Sequence, residues 1–258
     1  MSSRITFCKL FPVLCLFVAL ILSGCSTNNT DATVDDSDAA NEPSSEVGED
    51  VFSVGLNPDR DYLVLVNEDN EYQFGSEYDK ALKKDLVYVS DPEGEPTPVE
   101  KGAYTAFSLL KQHLRAEEGI DIELYSAYRT KDDQQWVYDH YSNLKDWAKT
   151  NKVLRPGFSE HHTGLTLNIV AWWPNEENPD EYIWTTETAE RQQKDPGFKV
   201  IHDSLADYGF IDRYPAGKED ITGIPCEPYE IRFVGSTKIA HEIMDNNLCL
   251  EEYLKQNK

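Results

Sequence analysis

The sequence predicts an α+β domain in which a small, mostly antiparallel sheet is flanked by helices. Three observations predict it. Apolar residues recur at helical spacing in some segments, as at Ala103, Phe107, Leu110 and Leu114. Others alternate apolar and polar residues one by one, as in residues 120–125 and 165–170. From about residue 51 onward the chain is long enough for one core and carries aromatic residues throughout, so residues 51–258 read as a single domain.

Taken in order, residues 62–67 read as a short strand entering the domain. Residues 101–118 form an amphipathic helix that Gly119 ends. Residues 120–125 suit a half-buried strand running into Ser126. Thr130 is a plausible N-cap, with Asp132 and Asp133 in the first turn where the helix dipole favours them. Val137, Tyr141, Leu144 and Ala148 would share a face of that helix, to about Thr150. After Gly164 a strand places Thr166 and Asn168 on one face. A helix follows Pro196, residues 229–234 form a strand, and Ser236 caps a helix through His241 and Met244.

The N-terminus has Arg4 and Lys9, an apolar run over residues 10–22, and Leu22-Ser23-Gly24-Cys25. A basic start, a short apolar stretch and small residues before the cut make a secretory signal over residues 1–24, too short to span a bilayer comfortably. The Leu-Ser-Gly-Cys ending resembles a bacterial lipoprotein signal, which implies lipid on Cys25 and tethering to the outer face of the cell membrane. Residues 26–50 hold eight acidic side chains and no basic one, and read as a flexible linker. The formal charge is -23, so phosphate backbones are excluded as partners: nucleic acid needs a basic surface. Outside the signal and Cys25, the cysteines are Cys226 and Cys249, which an oxidising exterior would allow to pair.

Three motifs carry the chemistry. The first is Ser126-Ala127-Tyr128-Arg129 with Gln134. The second runs from Pro156 through Ser159, His161, His162 and Gly164 to Asn168. The third is Tyr214-Pro215, Gly217-Lys218 and Thr222-Gly223, followed by Glu227-Pro228-Tyr229-Glu230 and Arg232. Together they resemble the VanY-like D-alanyl-D-alanine carboxypeptidases, with patterns S-G-Y-R-S-x3-Q, S-x-H-x6-D and E-x-x-H. The resemblance implies a metallo-carboxypeptidase-like domain, a peptidoglycan stem peptide as partner and zinc as cofactor. It also implies Arg129 as a clamp for the peptide's terminal carboxylate, Ser126, Gln134 and Ser159 as substrate contacts, and Glu227 as general base. The stretch around Tyr214 to Gly223 would shape the cleft.

The metal positions implied are His161, Asn168 and Glu230, and the last two depart from the family: Asn stands for Asp and Glu for His. The formal charge of the trio is unchanged, but one nitrogen and two oxygens replace two nitrogens and a carboxylate. That set suits harder ions such as manganese, magnesium or calcium better than zinc. No metal, another divalent ion, or a zinc site rebuilt with His162 all remain open, as does a non-catalytic peptide-binding role. His113, His140, His202 and His241 lack ligand spacing and read as surface or packed histidines. Locally, Arg129 could instead pair with Asp132 or Asp133, and Ser159 could cap a turn.

Overall fold

A computed structural model describes residues 56–142, 152–174, 182–184 and 196–257. The elements are α1 (Glu77–Asp85), the hairpin β1 (Leu86–Ser90) and β2 (Pro96–Glu100), α2 (Lys101–His113), β3 (Asp121–Ser126), α3 (Lys131–Tyr141) and a 3-10 turn (Glu160–Thr163). There follow β4 (Thr166–Pro174), β5 (Tyr182–Trp184), α4 (Pro196–Ser204), β6 (Phe210–Asp212), α5 (Glu219–Thr222), β7 (Glu230–Phe233), α6 (Thr237–Met244) and α7 (Leu250–Gln256). The main sheet has the order β3-β4-β7-β6, with β5 also paired to β4, and every pairing is antiparallel. The architecture is the α+β one that the alternating periodicities predict.

The two faces of this sheet are chemically distinct because side chains alternate along a strand. Ile122 and Leu124 of β3, Leu167, Ile169 and Ala171 of β4, and Ile231 and Phe233 of β7 join one core. Ala103, Phe107, Leu110 and Leu114 fill it from the α2 segment. The opposite face carries Ser126, Thr166, Asn168, Glu230 and Arg232. Glu100 caps α2 by accepting the Ala103 N–H at 2.7 Å. The last turn widens into a π-helix, Leu114–Glu118, before Gly119 closes it at φ 68°. Helix α6 begins at Ser236, whose hydroxyl accepts the Ile239 N–H.

Three expectations need amendment. Residues 62–66 form no strand, although their apolar alternation is real: Tyr62 and Val64 pack towards one cluster, Leu63 and Leu65 towards another. Their backbone groups are met by side chains, since Arg232 Nη2 donates to the carbonyls of Tyr62 and Val64 and Glu160 Oε1 accepts the Val66 N–H. Helix α3 is capped as expected, with Thr130 and Asp133 in a reciprocal capping box. Of the face expected to be apolar, however, Val137 is half-buried and Tyr141 exposed, because this face lines a cavity, while Leu144 and Ala148 lie outside the described residues. Finally, no disulfide joins Cys226 to Cys249. Among the described residues no helix is long and apolar enough to cross a membrane, and Cys25 and the segments before residue 56 lie outside them.

Candidate active site

Strand β3 positions the first wall of the site. Its register against β4 shifts between Leu124, opposite Ile169, and Ser126, opposite Asn168, leaving Tyr125 as the extra residue of a bulge. The chain then turns through Arg129, whose N–H donates to the His161 carbonyl at 3.1 Å. Asp133 is taken up by the cap with Thr130, and Arg129 turns instead to the cavity. Its Nε donates to Ser126 Oγ at 3.2 Å and its Nη1 to Gln134 Oε1 at 3.3 Å. Gln134 is buried and anchored in turn, donating to the Leu154 carbonyl at 2.6 Å. Burial pulls the Arg129 guanidinium down from its ordinary pKa, and Glu230 and Glu227 oppose that shift. Ser126 and Gln134, two of the three substrate contacts that the sequence singles out, thus form one supported unit around the guanidinium.

The second wall is built by the 3-10 turn and strands β4 and β7. Gly164 ends the turn at φ 71°, where an added Cβ would come 3.0 Å from Leu82. Asn168 pairs in register with Ser126 on one side and Glu230 on the other, so these three form a row across the sheet. Thr166 and Arg232 form the next row. The turn lies over both, Glu160 above Thr166 and Arg232, His161 above Asn168 and Glu230.

His161 Nδ1 donates to the Ala127 carbonyl at 2.5 Å. That contact makes Nδ1 a donor, and Nε2 lies 3.5 Å from Glu230 Oε2. His161 Nε2 and Asn168 Oδ1 are both buried polar atoms without a hydrogen-bond partner. The turn at Pro228 and Tyr229, closed by Glu230 N–H to the Glu227 carbonyl at 2.9 Å, brings the two carboxyl groups to one side. Burial and the neighbouring Glu230 push Glu227 well up from the carboxylate range, and a hydrogen bond joins the pair. Burial acts upward on Glu230 too, but the His161 contact and Arg129 outweigh it and hold this carboxyl down.

Ser126, Arg129, Gln134, Ser159, His161, Asn168, Glu227 and Glu230 all line one cavity of about 380 Å³. Ser159 is buried there and makes no side-chain cap bond to the turn it precedes. His162 faces away. Its Nδ1 donates to the Arg129 carbonyl at 2.8 Å, its Nε2 accepts the Gly157 N–H at 3.0 Å, and its ring packs against Tyr72 and Phe74. Both nitrogens are occupied and burial lowers its pKa to about 4, so it is a buried packing histidine and not a substitute ligand. His202 is packed as well, against Asp212 at 3.0 Å and the Pro228 carbonyl.

Sequence reasoning missed Glu160. Its carboxylate pairs with Arg213 Nη2 at 3.1 Å and with Arg232 Nη1, and it accepts from Thr166 Oγ1 at 3.1 Å. It also missed Tyr125, Trp136 and Tyr141 at the cavity wall. No short-range signal marks either set, although Glu160 adjoins the singled-out His161.

Among the described residues, no three His, Cys, Asp or Glu side chains have metal-holding geometry. The third donor here is an amide. With two unpartnered buried polar atoms and an adjoining carboxylate, the residues are of the kind that hold a divalent cation.

A half-buried guanidinium faces an imidazole-and-carboxyl wall on an α+β scaffold of the metallo-carboxypeptidase type. The comparisons agree. The family model described as VanY, D-alanyl-D-alanine carboxypeptidase, matches residues 97–236, and the chain belongs to that family. "Putative carboxypeptidase YodJ" of Bacillus subtilis (strain 168) is 30% identical, across 93% of each chain. The solved LdcB LD-carboxypeptidase is 31% identical with a TM-score of 0.57, covering 75% of this chain and 86% of that one. A variant of the vancomycin resistance D,D-pentapeptidase VanY, solved in complex with Zn(II), is 27% identical with a TM-score of 0.54, covering 75% and 98%.

Proposed function

We propose that this is an exported, lipid-anchored protein whose carboxypeptidase domain takes the carboxyl terminus of peptidoglycan stem peptides, and that it binds them better than it hydrolyses them. The observation that carries this reading is the convergence of Arg129, braced by Ser126 and Gln134, with Glu227 and Glu230 on one cavity. A planar guanidinium held by two side chains is prepared to take a terminal carboxylate through parallel charge-assisted bonds. Ser159 adds a hydroxyl to the same wall. A divalent ion held by His161, Asn168 and Glu230 would supply Lewis-acid polarisation of the scissile carbonyl.

Glu227 is placed to accept a proton from the attacking water and return it to the leaving amine. Burial and the neighbouring Glu230 push its pKa up, which opposes its action as a base. That pairing favours the second reading, a peptide-binding or scaffolding module on the same fold. The two separate cleanly: a hydrolase needs Glu227, whereas a binder needs Arg129 and tolerates Glu227→Gln.

The deciding measurement is titration of a peptide ending in D-Ala-D-Ala against wild type and Arg129→Ala. Loss of the clamp should weaken binding about 30- to 1000-fold, or roughly 2 to 4 kcal/mol. Equal binding to both proteins, or indifference to amidation of the peptide's terminus, would remove the clamp assignment. The anchoring part has its own check, because Cys25→Ala should abolish incorporation of a labelled fatty acid. Unchanged labelling would refute it.

A further inference from the structure

The turn that carries both carboxyl groups of the site is held from behind by a histidine outside the cavity. Of the four carbonyls in Glu227-Pro228-Tyr229-Glu230, three accept backbone N–H groups: Glu227 from Glu230 at 2.9 Å, Tyr229 from Ile169 at 2.9 Å and Glu230 from Arg213 at 3.1 Å. The fourth, that of Pro228, lies 3.0 Å from His202 Nε2. A carbonyl only accepts, so this ring nitrogen donates. The carbonyls of the turn are thus met by the main chain at three points and by one side chain at the other.

His202 lies on α4, which packs against the sheet face opposite the site, with Phe198 and Ile201 in the core. Its Nδ1 is 3.0 Å from Asp212 Oδ2. On β6, Asp212 pairs with Ile231 and Phe210 with Phe233, so Asp212 belongs to the core side of the strand, whereas its neighbour Arg213 engages Glu160 and Glu251 on the other side. The Phe198 ring meets the His202 ring edge to face, with 6.0 Å between centroids. A carboxylate accepts as a carbonyl does, so the imidazolium is the form that satisfies both contacts. The neutral ring has one proton for two oxygens.

The surroundings favour the charged form. Burial lowers the pKa of this ring, but Asp212, the Pro228 carbonyl and Asp203 outweigh it and the net shift is upward. On its own helix the remaining charge is Lys199, which pairs with Asp203. Cys226 and Tyr214 share with His202, Asp212 and Pro228 the wall of a second cavity, of about 290 Å³. Glu227 and Glu230, the charged groups of the turn itself, line the first cavity and not this one. The turn therefore has a space behind Pro228 into which it can withdraw once the histidine bond is lost.

We propose that His202 is a positioning residue: as an imidazolium bridging Asp212 and the Pro228 carbonyl, it holds the turn from Glu227 to Glu230 in the place that peptide binding requires. The bridge is complete below the ordinary histidine value, near about pH 6.5, and is lost as pH rises through the higher folded value. The site then loosens on the alkaline side with Arg129, Ser126 and Gln134 unchanged. The effect on binding rests on the peptide reading of the cavity, whereas the order of the turn does not.

The test compares the full chain with His202→Gln, which retains a neutral donor, and His202→Leu, which has none. Amide exchange at pH 6 should show protection of the Glu230 N–H at least about 10-fold lower in His202→Leu than in wild type, with His202→Gln between them. Calorimetric titration with an N-acetylated peptide ending in D-Ala-D-Ala should show affinity falling from pH 6 to pH 9 about 5-fold more in wild type than in His202→Gln. Equal protection in wild type and His202→Leu would overturn the proposal. So would an identical pH dependence in wild type and His202→Gln. Lost protection with peptide affinity unchanged would reduce His202 to a structural role and overturn it as well. If His202→Leu does not fold, the pH comparison with His202→Gln decides alone. A peptide that binds none of the proteins at either pH would refute the peptide reading, and exchange at Glu230 would still decide whether His202 holds the turn.

Discussion

Glu160 and His161 are sequence neighbours on one 3-10 turn and lie over the same face of the sheet, one row of paired residues apart, yet they meet opposite environments. Glu160 is surrounded by Arg213, Arg232, Thr166 and the Val66 N–H, and Arg213 is itself tied to Glu251 at 2.8 Å. His161 presents Nε2 to a space where Asn168 Oδ1 is also unpartnered. Folding satisfies most buried polar groups, and both oxygens of Glu160 have partners while His161 Nε2 and Asn168 Oδ1 have none, so the open row is where a ligand would supply the missing partners. The saturated group holds the turn in place, and the open one uses that placement.

The strongest way to break this contrast is to remove the saturated member. Glu160→Gln leaves buried Arg232 without its carboxylate partner and Arg213 with Glu251 alone, and should cost about 3 to 5 kcal/mol of stability by urea unfolding. Asn168→Ala, one row away, should cost less than about 1 kcal/mol, because the lost acceptor has no partner to strand. Equal losses would end the distinction between a structural and an open row.

The effect of Glu160 should also follow pH with a definite sign. Burial alone would raise its pKa, but Arg213 and Arg232 outweigh it and hold the folded value below the ordinary one. Its contribution is therefore complete above the unfolded carboxylate pKa, near 4.3, and fades as pH falls through the folded value. The gap between wild type and Glu160→Gln should narrow only below about pH 4. A gap that narrows towards alkaline pH instead would contradict the assignment.

The open row can be sharpened by completing it. Asn168→Asp with Glu230→His should raise zinc affinity, and D-alanine release in the presence of zinc at least about 100-fold, with each single change doing much less because ligands act as a unit. Zinc titration and product release on all four proteins would show this. A parent with stoichiometric zinc and the turnover of the double variant would show that Asn168 and Glu230 already serve.

The smallest effect is at His202, where burial lowers the pKa but Asp212 outweighs it and the net shift is upward. The ion pair should add stability fully below about pH 6.5 and lose it as pH rises through the folded value. Comparing thermal unfolding of wild type and His202→Gln at pH 6 and pH 9 would detect this, with the larger difference expected at pH 6. The reverse order would exclude a cationic His202.

Much of the site was legible in short-range spacing. Thr130 caps α3, Gly119 and Gly164 end turns, and the alternation after Gly164 puts Thr166 and Asn168 together on the sheet face opposite Leu167 and Ile169. These features depend on backbone preference and on a two-residue period, which neighbouring residues express by themselves. Residues 62–66 show where that logic stops. Their pattern suits a strand, but the partner for their carbonyls is the guanidinium of Arg232, about 170 residues downstream.

The sequence by itself determined the chemical inventory: a guanidinium, an imidazole, an amide and two carboxyl groups at spacings that turns and strands convert into definite directions. Tertiary structure decided which of them meet. The register of β3, β4 and β7 sets Ser126, Asn168 and Glu230 side by side, and the Ala127 carbonyl makes His161 Nδ1 a donor. The same assembly turns His162 into the Tyr72 and Phe74 packing, away from the site, and gives Glu160 its arginines from 53 and 72 residues away. Hydrogen-bond and charge saturation is a property of groups brought together across the whole chain, and local spacing carries no record of it.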